Sequence, residues 1–110
     1  MTRALSTCIV ARFGDEQTEW TSNFDNLRQA EAAAITTGLP LILDLSQTCL
    51  IDGACLGVLA AAWVRLGRDP RRFAISNCGT ECARIFRISG LDRSFEFHAD
   101  LKTAIDRMGH

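Results

Sequence analysis

Chemistry, if this sequence carries any, belongs at Asp52-Gly53-Ala54-Cys55, where a short apolar run meets an apolar helix. In α/β proteins the ends of the strands are where functional groups gather. Asp52 is placed to cap the helix, accepting from the amides of Ala54 and Cys55 at the positive end of the helix dipole. A general base needs a histidine, lysine or second acid nearby, and none adjoins Asp52, so capping is its expected role. Cys55 falls in the first helical turn, a position that lowers a thiol pKa. With no histidine or resolving cysteine beside it, it is expected to act as a small buried hydrophobe. Gly53 and Gly57 form neither a GxGxxG nor a phosphate loop, and no lysine follows. The amides of the helix start could still hold a nucleotide phosphate or another anion weakly.

Other catalytic arrangements fail on residue count and order. Five cysteines are scattered without a CxxC, and the only histidines are His98 and His110. Structural zinc wants closely spaced ligand pairs, and a thioredoxin-type site needs CxxC, so neither metal nor redox cofactor is expected. A phospho-aspartate site needs an acidic cluster, and only Asp44 and Asp52 approach one. No Ser-His-Asp order is convincing. The residues alone describe a small binding domain, not an enzyme.

The chain of 110 residues, nearly half of them apolar, suits one domain over 1–110 with a core of its own. Its net charge of −1 provides no global field for nucleic acid. Charge is uneven, however: three arginines oppose seven acids up to residue 52, and nine cations oppose six acids beyond it. An odd number of unpatterned cysteines points to the reducing cytoplasm. The longest apolar run, residues 53–64, falls short of the roughly 20 residues of a membrane span.

Periodicity supplies the elements that would position the junction. A strand is expected within residues 5–13, followed by a helix with Ser22 near its start. Phe24, Leu27, Ala30 and Ala34 lie along that helix, and Gly38 and Pro40 end it. Leu41 to Leu45 reads as a buried parallel strand. In the helix from Gly53, the residues Leu56, Leu59, Ala60, Trp63, Val64 and Gly67 share one face, with Leu59, Trp63 and Val64 turned to the core. Phe73-Ala74-Ile75 is the next strand, and Thr80 is expected to cap the helix after it. Gly90 is a left-handed stop. Phe95 and Phe97 suggest a short edge strand, and Asp100 caps a last helix with Leu101, Ala104, Ile105 and Met108 inward. Strand and helix alternate throughout, which argues for an α/β fold with a mostly parallel or mixed sheet of four to five strands and about four helices. Residues 52–55 and 76–79 would then be neighbours.

Three segments together resemble the STAS domain family, that of bacterial anti-sigma factor antagonists and sulfate-transporter tails. LILDLSQTCLIDGACLGVLAAAW is similar to its strand, Asp-Leu-Ser and Asp-Ser-Ser-Gly-Leu-Gly helix start; FAISNCGTECARIFRISGLDRSF and FHADLKTAI are similar to the elements that follow. The resemblance implies a non-enzymatic domain whose loop serine is phosphorylated by a kinase-like anti-sigma partner, an event that breaks the complex. Here Asp52, Leu56 and Gly57 match, but Gly53 and Ala54 stand at the serine positions and Cys55 at the glycine. With Ala54 at the family serine, no phosphorylation can occur there. Ser46, Thr48 and Ser76 lie near and read as ordinary loop hydroxyls. The family's first strand is missing by this reading, which would expose a sheet edge.

The resemblance thus implies a cytoplasmic transcription regulator that binds an anti-sigma factor or another regulatory protein. Its contacts would be Asp52, Gly53, Ala54, Cys55 and Leu56, with Ser76, Asn77, Cys78 and Gly79 at the rim. The alternatives are a transporter-associated or lipid-transport-accessory module that binds an anion, nucleotide or membrane-protein partner, and a degraded copy that only forms a homodimer.

Overall fold

The computed structural model describes residues 2–4, 8–13, 20–46 and 53–108. In chain order the elements are β1 (Thr2–Ala4), β2 (Ile9–Arg12), α1 (Trp20–Thr37), β3 (Leu41–Asp44), α2 (Gly53–Arg65), β4 (Phe73–Ser76), α3 (Thr80–Ser89), a 3-10 turn (Leu91–Arg93), β5 (Glu96–His98) and α4 (Leu101–Met108). The strands lie in the order β1-β2-β3-β4-β5. β2 to β5 are mutually parallel, and β1 joins β2 antiparallel.

This order dictates the layering. Parallel neighbours joined by right-handed crossovers, always stepping the same way, put every crossover helix on the same face of the sheet. Accordingly Leu27, Ala30 and Ala34 of α1, Cys55, Leu59, Ala62 and Leu66 of α2, and Cys82 and Phe86 of α3 share one core with Ile9, Leu41, Leu43, Phe73 and Ile75. Among the described helices, α4 alone lies on the other face. There Ala104 and Met108 pack on Cys8, Val10, Ile42 and Ala74, with Leu101 and Ile105 alongside. The alternation of strand side chains between the two cores follows the two-residue period of the pleat.

Several helix ends work as the sequence indicates. The amide of Gly38 (φ 74°) bonds to the Ala34 carbonyl at 2.9 Å. Gly90 stops α3 at φ 82°, its amide donating to the carbonyls of Arg87 and Phe86. The Thr103 amide donates to Asp100 Oδ1 at 2.7 Å, so Asp100 does cap α4. Around Phe95 the rings of Phe73, Phe86 and Phe97 meet edge to face, at 5.2 Å between centroids for Phe73, the geometry aromatic quadrupoles favour.

Four expectations need correction. β1 is present and pairs with β2, so β2 is not the sheet edge; three residues are too few for a periodicity to show. Ser22 lies inside α1, which starts at Trp20. α3 has Gly79 at its N-cap, with no side-chain capping bond, so Thr80 is its first helical residue and not the cap. Val64 is 46% exposed, and the inward stripe of α2 is Cys55, Leu59, Ala62 and Leu66. Apart from two glycines and Arg65, every α2 residue is apolar, and a helix apolar all round gives periodicity no means of choosing a face.

Across the seam between α1 and α2, Glu31 is buried and takes both Arg65 Nε and, at 3.0 Å, the other arm of that guanidinium. A buried carboxylate needs such a partner, and the bidentate fork supplies it. One turn further along α1, Arg72 donates to the Ala34 carbonyl at 3.0 Å, fastening the start of β4 beneath α1. These contacts fix the direction in which α2 leaves the strand ends.

Candidate functional site

The C-terminal strand ends carry a row of polar residues set by register. Arg12 pairs with Asp44, Asp44 with Ser76, and Ser76 with His98 across β2, β3, β4 and β5. In a parallel sheet, residues in register stand side by side, so one polar position in each strand yields a line along the sheet edge. The ladder runs on past the strands: Leu45 donates its amide to the Ser76 carbonyl at 2.9 Å, and Asn77 its amide to that of His98 at 3.3 Å.

Asp44 is the hub of the row. Its side chain is fully buried, and its carboxylate accepts four side-chain donors. Arg12 Nε at 2.7 Å and Ser46 Oγ at 2.8 Å meet Oδ2. Ser76 Oγ at 3.1 Å and Asn77 Nδ2 at 2.8 Å meet Oδ1. Burial pushes the carboxyl pKa up, but the bonds from Asn77, Ser46, Arg12 and Ser76 together outweigh it and leave it below the ordinary 3.8. Asn77 sits at φ 57°, a left-handed conformation that asparagine tolerates and that here carries its amide to Oδ1. One carboxylate thereby holds the exits of β2, β3 and β4 and the first residues of the loops after β3 and β4.

The hub is not a catalytic constellation. Ser76 donates to Asp44 and is wholly buried, so it is no nucleophile activated by a base. The residues that sequence pattern did not bring out are Arg12 and the fourfold role of Asp44. Their pairing spans 32 positions and depends on sheet register.

The predicted contact residues separate into three groups. Asp52 lies outside the described residues, and for Gly53 and Ala54 only the backbone of the first turn of α2 is described. Cys55 and Ser76 are fully buried, which corrects their assignment as partner contacts: Cys55 belongs to the core beneath α2 and Ser76 to the hub. Leu56, Asn77 and Cys78 are half-buried, and Gly57 and Gly79 exposed. Burial, with a smaller contribution from Cys82, pushes the Cys78 thiol up to about 12, the opposite of what a reactive thiolate needs. Among the described residues no three His, Cys, Asp or Glu side chains are grouped to hold a metal, and no helix is long and apolar enough to cross a membrane.

Strand order bears on the ligand question too. In open α/β sheets the ligand crevice opens where the order reverses. Here it runs from β1 to β5 without reversal, and the strand ends are filled by the polar row.

A sequential sheet with three helices on one face and one on the other is the architecture of the STAS domain, and the family described as "Mlab, STAS domain" matches residues 17–103. The chain belongs to the STAS domain family. No curated protein matches it. Among solved structures it superposes on an anti-sigma-factor antagonist (STAS) domain protein from Planctomyces limnophilus with a TM-score of 0.84 and 16% identity, covering 100% of this chain and 97% of that one. An anti-sigma factor antagonist from Mycobacterium paratuberculosis gives 0.72 and 23%, over 96% and 89%. The Bacillus cell fate determinant SpoIIAA in its phosphorylated form gives 0.68 and 19%, over 97% and 96%. At these identities the structures establish a shared fold: this is a STAS domain resembling anti-sigma factor antagonists.

Proposed function

We propose that the chain is a non-enzymatic, cytoplasmic regulatory domain that binds a kinase-like anti-sigma partner through the loop and helix starting at Asp52. No phosphorylation takes place at 53–55. Leu56 is the apolar contact, Gly57 allows close approach, and Asn77, Cys78 and Gly79 form the rim. The observation that supports this reading is the accessibility of Leu56 and Gly57 in the opening turns of α2, while the inward stripe from Cys55 is wholly committed to the core. An apolar residue at an accessible helix start, with no competing catalytic group, suits protein docking.

Binding measurements against kinase-like anti-sigma proteins test it. Leu56→Asp abolishes binding if the surface is the right one; unchanged affinity refutes it. With ATP present no phosphate enters the 53–55 loop of the native chain, whereas Ala54→Ser creates a substrate.

A second reading keeps one specific support. The family is described by a name of its own, Mlab, and not as an anti-sigma factor antagonist. On this reading the domain is a transporter-associated or lipid-transport-accessory module that recognises a membrane-protein partner, a nucleotide or an anion. Calorimetry with GTP, ATP and simple anions separates the two, since heat of binding favours the second. Light scattering on the purified chain tests a homodimer.

A further inference from the structure

We infer that the chain binds inorganic phosphate in a cavity beside β5, on the face of the sheet opposite α2. β5 is the last strand in the sheet order. Phe97 packs with the core beneath α1, α2 and α3, so by the two-residue alternation Glu96 and His98 face the α4 side. There they line a cavity of about 290 Å³ with Pro70 and Arg71, which precede β4, and with Arg107 and Met108 at the end of α4. That volume is at the small end of ligand pockets, which suits an ion and not a nucleotide.

Two observations point to an oxyanion. His98 Nε2 is buried and has no hydrogen-bond partner among the described residues. A buried polar atom without a partner is uncommon in a folded protein, and this one belongs to a residue that borders space a ligand can enter. Guanidinium groups also converge on the cavity from two separate elements. Asp69 accepts from Arg71 Nε at 3.2 Å and Nη2 at 3.3 Å, which steadies the fork and leaves Nη1 to donate elsewhere. Arg107 is exposed, and no ion pair holds it among the described residues. Planar, multiply donating guanidinium groups match oxyanions well.

Glu96 selects among oxyanions. An ionised carboxylate only accepts hydrogen bonds, and it repels an anion that has nothing to donate. Near neutral pH inorganic phosphate always keeps a hydroxyl, whereas sulfate has none. Phosphate thus accepts from Arg71, Arg107 and His98 Nε2 and donates its own hydroxyl to Glu96. Sulfate satisfies the same donors but leaves Glu96 facing a charge without a hydrogen bond, a mismatch that discriminates strongly.

Calorimetry on the intact chain in chloride buffer at neutral pH, with inorganic phosphate, sulfate and glycerol phosphate titrated separately, tests the site. Phosphate should bind about tenfold more tightly than sulfate. Equal affinity for the two, or no binding of phosphate by heat or by shifts of the His98 ring-nitrogen signals, overturns the proposal. Those signals are identified by their loss in His98→Gln. Glycerol phosphate has one oxygen esterified and should bind more weakly than inorganic phosphate; tighter binding would make the ligand an ester and overturn the assignment. Arg107→Gln should weaken phosphate binding about tenfold. Glu96→Gln should bring sulfate close to the affinity of phosphate, and continued rejection of sulfate removes the basis of the selection. Both side chains are exposed, so both variants should keep the native circular dichroism. Phosphate-induced amide shifts confined to residues 53–55 would place the anion at the start of α2 and overturn the cavity site.

Discussion

The end of β3 and the start of α2 are the two borders of one loop, and they are built in opposite ways. Asp44 and its four donors make the strand end a buried polar knot. The helix start has glycine, alanine and a buried cysteine, and no hydroxyl. One border owes its geometry to directed hydrogen bonds and the other to apolar packing. The contrast teaches that directed polar bonds and apolar packing can stand at the two borders of one loop.

The first way to break this contrast is to empty the apolar side. Leu59 is fully buried under α2, so Leu59→Ala should cost about 3 kcal/mol in a denaturant titration. Val64→Ser, one turn along on the exposed side, should change stability by no more than about 0.5 kcal/mol. Equal losses would return Val64 to the core.

Removing the knot comes next. Asp44→Ala leaves Ser76 and Asn77 donors without their acceptor, and should destabilise by about 2 kcal/mol, less than Leu59→Ala because Arg12 can turn to water. Arg12→Ala should cost less still, about 1 kcal/mol, since its guanidinium is partly solvated. If Arg12→Ala were the costlier of the two, Asp44 would not be the hub.

Acid sharpens the same point. The folded pKa of Asp44 is lowered, so its contribution is complete above the ordinary 3.8 and disappears as pH falls through the lower folded value. Asp44→Asn should flatten the acid limb of stability against pH in that window. An unchanged limb would mean that other carboxylates govern acid unfolding.

Thiol labelling gives the smallest signal. Cys55 is fully buried and Cys78 is pushed up to about 12. At neutral pH iodoacetamide should label both far more slowly in the native chain than in denaturant. Fast native labelling of Cys55 would revive it as a reactive group.

Much of this molecule can be read along the chain. Asp100 before an apolar period, Gly90 after one, and Gly38 ahead of Pro40 are local devices, and each sits where its own backbone requires it. From β2 to α4 the alternation of strands and helices also survives. The candidate site was less legible. Asp44 looked like one polar residue at the end of an apolar strand, and nothing in its neighbours announces Arg12. Val64 and Trp63 were equivalent to Leu59 in a helix apolar on all sides, and three-residue β1 was too short to recognise.

Sequence by itself determined the elements from β2 onward, their order and the α/β class, because caps, breakers and periodicity act within a few residues of one another. The tertiary structure alone decided which face of α2 is buried, that Ser76 is inaccessible, and that Arg12, Asp44 and Ser76 stand in one row. Those facts depend on strand register and layer packing, which join residues some thirty positions apart and leave no local trace in the chain.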